Sequence, residues 1–157
     1  MLDDKVIKDI LPQSFPFVMI DRIVDFKKGE SLTAIKNITG NEWIYEGQKV
    51  NPERRLRGRA VERAKNDIFP ETLLIEAAAQ AALMLYGLSK IKIGQKQPKY
   101  ILGKSTADFK NFVYLGDQIT IHALANKMLD TGGYSDITLS RTSENIGTIE
   151  IIYSVIR

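Results

Sequence analysis

Between Leu73 and Leu88 the stretch LLIEAAAQAALMLYGL carries two strongly polar side chains, Glu76 and Gln80. Four residues apart on a helix, they share a face. A carboxylate and an amide therefore point together into whatever covers that face. Taking an isolated charge out of water is expensive, so a carboxylate kept there is either paired or used in proton transfer. Two readings of Glu76 follow. It is a buried acid held by an arginine or by backbone donors, or it is the carboxylate of an acid–base or hydrolytic site.

Few other residues compete for chemistry. The chain has no cysteine, which removes thiol nucleophiles, disulfides and thiolate metal sites. Its one histidine, His122, alternates with Thr120, Leu124 and Asn126 in QITIHALANKM and reads as a surface or packing residue. No metal site is expected without clustered ligands. The segment KVNPERRLRGRAVERAKNDIF, Lys49 to Phe69, holds seven basic and three acidic residues in a chain of net charge +3. Such a patch suits an acidic partner or is a solvated loop. It lacks the interleaved aromatics that stack on single-stranded nucleic acid, so nucleic-acid binding is not expected.

The elements that position Glu76 can be read from periodicity. The chain's 157 residues suit a single domain, with 44% hydrophobic and 26% charged residues as in ordinary globular proteins. Val6, Ile7 and Ile10 predict a helix over Asp3–Leu11. Strands are predicted at Phe17–Phe26 and Ser31–Thr39, the latter with Leu32, Ala34 and Lys36 on one face. After the apolar helix, four more are predicted at Tyr100–Phe109, Gln118–Leu129, Tyr134–Thr142 and Gly147–Ile156, punctuated by glycine-rich turns. In the last, Ile149, Ile151, Tyr153 and Val155 share a face. Strands joined by short turns make an antiparallel sheet. A helix apolar on nearly every side must be covered all round. The expected class is α+β, an antiparallel sheet curled around one long helix. The apolar run is shorter than the ~20 residues of a membrane span. The opening MLDDKVIKDILPQ, with acidic residues and no long apolar core, is not expected to act as a signal peptide. A cytoplasmic location is expected.

Several segments resemble the 3-hydroxyacyl-[acyl-carrier-protein] dehydratases, a hot-dog fold family. LPQSFPFVMIDRI (Leu11–Ile23) is similar to the family's opening, IKNITGNEWIYEGQ (Ile35–Gln48) to the stretch before its glycine-histidine-phenylalanine-proline, LLIEAAAQAA to its central-helix signature, and ADFKNFVYLGDQI (Ala107–Ile119) to a later motif. The resemblance implies loss of water from a 3-hydroxyacyl thioester, with a histidine of one subunit facing a helix carboxylate of the other. Glu76 takes the carboxylate position, and Gln80 is the motif's glutamine.

Two departures bear on activity. The histidine position falls on Gln48, after Gly47, and an amide cannot act as a general base near neutral pH. The family's earlier histidine is replaced by Gln13. Gln48 and Glu76 are also 28 positions apart, about twice the family's gap, with the basic segment (about 49–69) as an insertion. Pro70-Glu71 stands where the family has proline-glycine. The resemblance then implies an acyl-thioester-binding protein with altered or lost dehydration. Its site would comprise Glu76, Gln80 and Gln48, with Gly47, Pro70, Leu74, Ala78, Leu83 and Met84 against the acyl group. Arg54, Arg55, Arg57 and Arg59 would meet the carrier. The partner is acyl carrier protein or acyl-CoA, phosphopantetheine arriving on the substrate and no other cofactor being needed. The chain would be a homodimer, or would pair with another hot-dog chain. Two alternatives stand beside it: a non-catalytic subunit of a heterodimeric dehydratase, and a thioesterase using Glu76.

Overall fold

The computed structural model describes residues 4–45, 68–91 and 98–156. Helix α1 spans Asp4–Ile10, strands β1 and β2 span Arg22–Lys27 and Ser31–Asn37, and a 3-10 turn covers Trp43–Tyr45. Helix α2 spans Glu71–Lys90, followed by β3 (Lys99–Phe109), β4 (Gln118–Leu129), β5 (Gly132–Arg141) and β6 (Glu144–Ile156). The six strands form one sheet in the order β1-β2-β4-β5-β6-β3, with every neighbouring pair antiparallel. The sheet wraps one long helix, the α+β arrangement that the strand pattern predicts.

Alternation decides which face each strand buries. In β4 Ile119, Ile121 and Ala123 are buried while His122 and Leu124 are exposed. In β6 the same rule buries Ile149, Ile151, Tyr153 and Val155. Helix α2 supplies the other half of the core with Leu74, Ala77, Ala78, Ala81, Ala82, Met84 and Leu85. Its run of alanines lets the backbone lie close to the sheet. Near its end Gly87 meets Ile10 of α1, where an added Cβ would collide with the isoleucine side chain. By length and composition the 20-residue helix could cross a membrane, but here it is the core helix of the sheet.

Strands β5 and β6 begin at Gly132 and Glu144, two and three residues before the predicted starts, so the glycines expected in turns lie within them. The largest departure from the sequence pattern precedes β1. The β-forming run from Phe17 enters a strand only at Arg22. The backbone of Phe17 and Met19 bonds instead to the side chain of Gln80, with the Phe17 carbonyl accepting at 2.6 Å and the Met19 N–H donating at 2.8 Å. Those groups are not free to build a ladder, and the stretch is held as an irregular strap across α2.

Sheet alternation does bury a charge. Lys36, on the face of Leu32 and Ala34, is 2% exposed. Its ammonium pairs with Glu42 at 2.6 Å and lies 5.8 Å from the centre of the Phe69 ring. The two ends of the sheet differ. β1 is short, whereas β3 is an 11-residue edge strand with side chains exposed along most of its length, Ile101 and Leu102 each at 50%.

Candidate active site

Glu76 lies one turn and a half into α2, half-buried, and its carboxylate is held by two amides. Gln80 Nε2 donates to Glu76 Oε1 at 2.8 Å, and Gln13 Nε2 donates to the same oxygen at 3.0 Å. The (i, i+4) spacing accounts for the first bond. The second requires the strap after α1 to cross the helix, and Gln80 fixes that crossing. The Gln80 amide is fully buried, and its orientation follows from its partners: the Met19 N–H can only donate and the Phe17 carbonyl can only accept. Glu76 Oε2 has no hydrogen bond to the described residues.

A cavity of about 210 Å³ opens beside this carboxylate. Pro12 and Gln13 of the strap, Glu76, Ala79 and Leu83 of α2, Tyr100 and Leu102 of β3, and Ile151 and Tyr153 of β6 line it. It is smaller than the roughly 300–1,000 Å³ clefts that take a whole drug-sized ligand. A space of this size suits a short acyl segment. The wall is apolar apart from the Gln13–Glu76 pair and two tyrosines.

Those tyrosines belong to a cluster. Tyr100 and Tyr153 pack edge-on against Tyr86, with ring centres 6.0 and 5.7 Å away. The Tyr86 hydroxyl donates to the Asp130 carbonyl at 3.1 Å, while the hydroxyls of Tyr100 and Tyr153 are buried without a hydrogen bond of normal geometry. Burial first, and Tyr86 second, push the Tyr100 hydroxyl up to about 12. Burial also pushes Tyr153 upward, against a small opposing pull from Ser135. Both stay neutral at physiological pH. Gly133 makes room for Tyr153, because a Cβ there would strike its ring.

Of the residues singled out in the sequence, Glu76, Gln80 and Leu83 come together here. Pro70 caps α2 without a side-chain hydrogen bond. Leu74, Ala78 and Met84 are buried in the core and are not in the cavity wall. Gly47, Gln48, Arg54, Arg55, Arg57 and Arg59 lie outside the described residues. His122 is exposed on β4, with Nδ1 3.1 Å from Thr33 Oγ1, away from the cavity wall. Sequence reasoning missed Pro12, Gln13, Ala79, Tyr100, Leu102, Ile151 and Tyr153 as wall residues, Gln13 being singled out only as the replacement of a family histidine. For Ala79 the signal was available, since 76, 79 and 83 recur at helical spacing. No group of metal-ligating side chains occurs among the described residues.

A sheet wrapped around a single long helix, with a carboxylate on that helix facing a cavity, defines a hot-dog protein. No protein-family model matches the chain. The chain is 38% identical over 120 residues to the 3-hydroxyacyl-[acyl-carrier-protein] dehydratase FabZ of Buchnera aphidicola, covering 76% of this chain and 70% of that protein. To the FabZ of Listeria welshimeri it is 30% identical over 158 residues, covering 99% and 96%. The chain therefore belongs to the 3-hydroxyacyl-[acyl-carrier-protein] dehydratase family. Among solved structures, it superposes on a chain of the dehydratase heterocomplex ApeI:P from Xenorhabdus doucetiae with a TM-score of 0.76 at 11% identity, covering 96% and 91% of the two chains. A mutant thioesterase from Pseudomonas aeruginosa superposes with a TM-score of 0.65 at 16% identity, covering 99% and 95%. At these identities the structures speak for the fold alone.

Proposed function

We propose that this protein binds acyl thioesters with the acyl group in the cavity beside Glu76, and that alone it dehydrates 3-hydroxyacyl thioesters slowly or not at all. The observation that carries the reading is Glu76 itself. Among the described residues its carboxylate is held by two neutral amides and by no arginine, and its side chain lines a mostly apolar cavity. A structural acid would be neutralised, whereas this one is only aimed. Dehydration needs a base for the proton beside the thioester carbonyl and an acid for the departing hydroxyl. Gln48 supplies neither, and the amide of Gln13 cannot take a proton.

The decisive test pairs binding with repair. Calorimetric titration with 3-hydroxyacyl and 2-enoyl thioesters is expected to show binding, weakened in Glu76→Gln. Gln48→His is expected to raise water loss from a 3-hydroxyacyl thioester sharply. Absence of any thioester binding would overturn the reading.

A second reading has its own support. Tyr100 and Leu102 stand on the edge strand β3 and also line the cavity. A long exposed edge strand is a template for pairing with another chain, and a chain added there would border the site. A second hot-dog chain could bring a histidine to Glu76 there, which a further copy of this chain, with Gln48 at the histidine position, could not; the Xenorhabdus neighbour is itself part of a dehydratase heterocomplex. Co-purification of a histidine-bearing dehydratase chain would favour the heterodimer. Full activity of a homodimer would remove it. A thioesterase role for Glu76 predicts thiol release that disappears in Glu76→Gln. Acyl carrier protein, whose acidic surface suits the basic segment, is the partner we favour over coenzyme A, and a cytoplasmic location fits it.

A further inference from the structure

Gln13 makes one hydrogen bond to the described residues, and it is to Glu76. The bond has a cost. A carboxylate only accepts, so the Gln13 amide must turn its Nε2 toward Glu76. That orientation leaves Gln13 Oε1 buried with no partner. Buried acceptors are almost always satisfied, and an exception calls for a reason. Gln80 differs. It too donates to Glu76, but it also ties Phe17 and Met19 to the helix, so its retention has a structural cause. No such cause exists for Gln13, a half-buried residue on the cavity wall.

We infer that Gln13 is a positioning residue of the site, acting through Glu76. This rests on the reading of Glu76 given above. With both amides on Oε1, the carboxylate cannot turn freely about its last bond, and Oε2 is left without a hydrogen bond to the described residues. Without Gln13, a single donor remains and the carboxylate swings about it. Because an amide neither takes nor releases a proton near neutral pH, Gln13 aims Glu76 without relaying protons for it.

The test is a double-mutant cycle with Gln13→Met, which keeps the length of the side chain and removes its polar atoms. One lost hydrogen bond to a charged group corresponds to about tenfold in affinity. Gln13→Met is expected to weaken 3-hydroxyacyl thioester binding about tenfold in the wild-type background and to have no effect in Glu76→Met, which leaves Gln13 no oxygen to meet. Its urea midpoint is expected to be unchanged or raised, because the orphan carbonyl is gone. Gln13→His, which restores a donor, is expected to recover part of the affinity. Equal losses in both backgrounds would overturn the inference and leave the thioester reading standing. If the wild type binds no thioester, the thioester reading falls, and the carboxyl carbon resonance of Glu76 decides the matter for Gln13. A shift of that resonance in Gln13→Met supports the inference, and an unmoved one overturns it.

Discussion

Gln80 shows how one side chain can be read from sequence in type but not in task. Its place four residues after Glu76 announces their contact. Nothing in the sequence announces that its other two bonds go to the backbone of Phe17 and Met19, more than sixty positions earlier. Replacing it with alanine removes three hydrogen bonds and leaves the buried Met19 N–H and the part-buried Phe17 carbonyl unmatched. At about 1–3 kcal/mol for the buried orphan and up to about the same for the part-buried one, Gln80→Ala is expected to lose about 1–6 kcal/mol in a urea unfolding titration. Glu76→Gln keeps the volume and the half-buried position, so it is expected to stay within about 1 kcal/mol of wild type in the same titration while losing thioester affinity. The contrast separates a residue that holds the fold from one that the fold holds.

At the scale of elements, strands were legible where alternation met a turn. β4 begins and ends where its sequence predicts, and β6 buries the four residues predicted to share a face. Legibility failed at the strap between α1 and β1. There β-forming residues bond to a side chain from a distant helix, and only the tertiary fold supplies that partner. The cavity shows the same limit. Its helix face could be read from spacing, but its opposite wall comes from β3 and β6, which sequence order separates by the whole of β4 and β5. The α1–α2 contact yields a prediction of this scale. Gly87→Val forces two methyl groups into Ile10. Overpacking of this kind costs about 1–3 kcal/mol. It is expected to lower the melting temperature without altering thioester affinity, since Gly87 is more than one turn beyond the last helix residue of the cavity.

For the whole molecule, the tyrosine cluster beneath the sheet edge sets an alkaline limit. The Tyr100 hydroxyl ionises near 12 in the folded chain against 10 when unfolded, and Tyr153 is displaced the same way. The folded state thus holds protons that the unfolded chain releases. Stability is fully present below pH 10 and declines as pH rises through 10 toward 12. Melting temperatures measured across pH 9–12 are expected to fall along this range, and less steeply in Tyr100→Phe. Absence of any difference between the two proteins would show that Tyr100 does not contribute. If the β3 edge pairs with another chain as proposed, sedimentation is expected to report at least two chains per particle.

The Gln80 bridge carries a last consequence, for anyone who would alter this protein. The amide that holds the Glu76 carboxylate also pins the peptide strap to the helix, so the scaffold and the proposed site share one fastening. A library selected for heat tolerance would discard changes at position 80 before any assay for turnover could see them. Retuning the acid must therefore proceed from the strap side, where a substitution can loosen the aim and leave the scaffold intact.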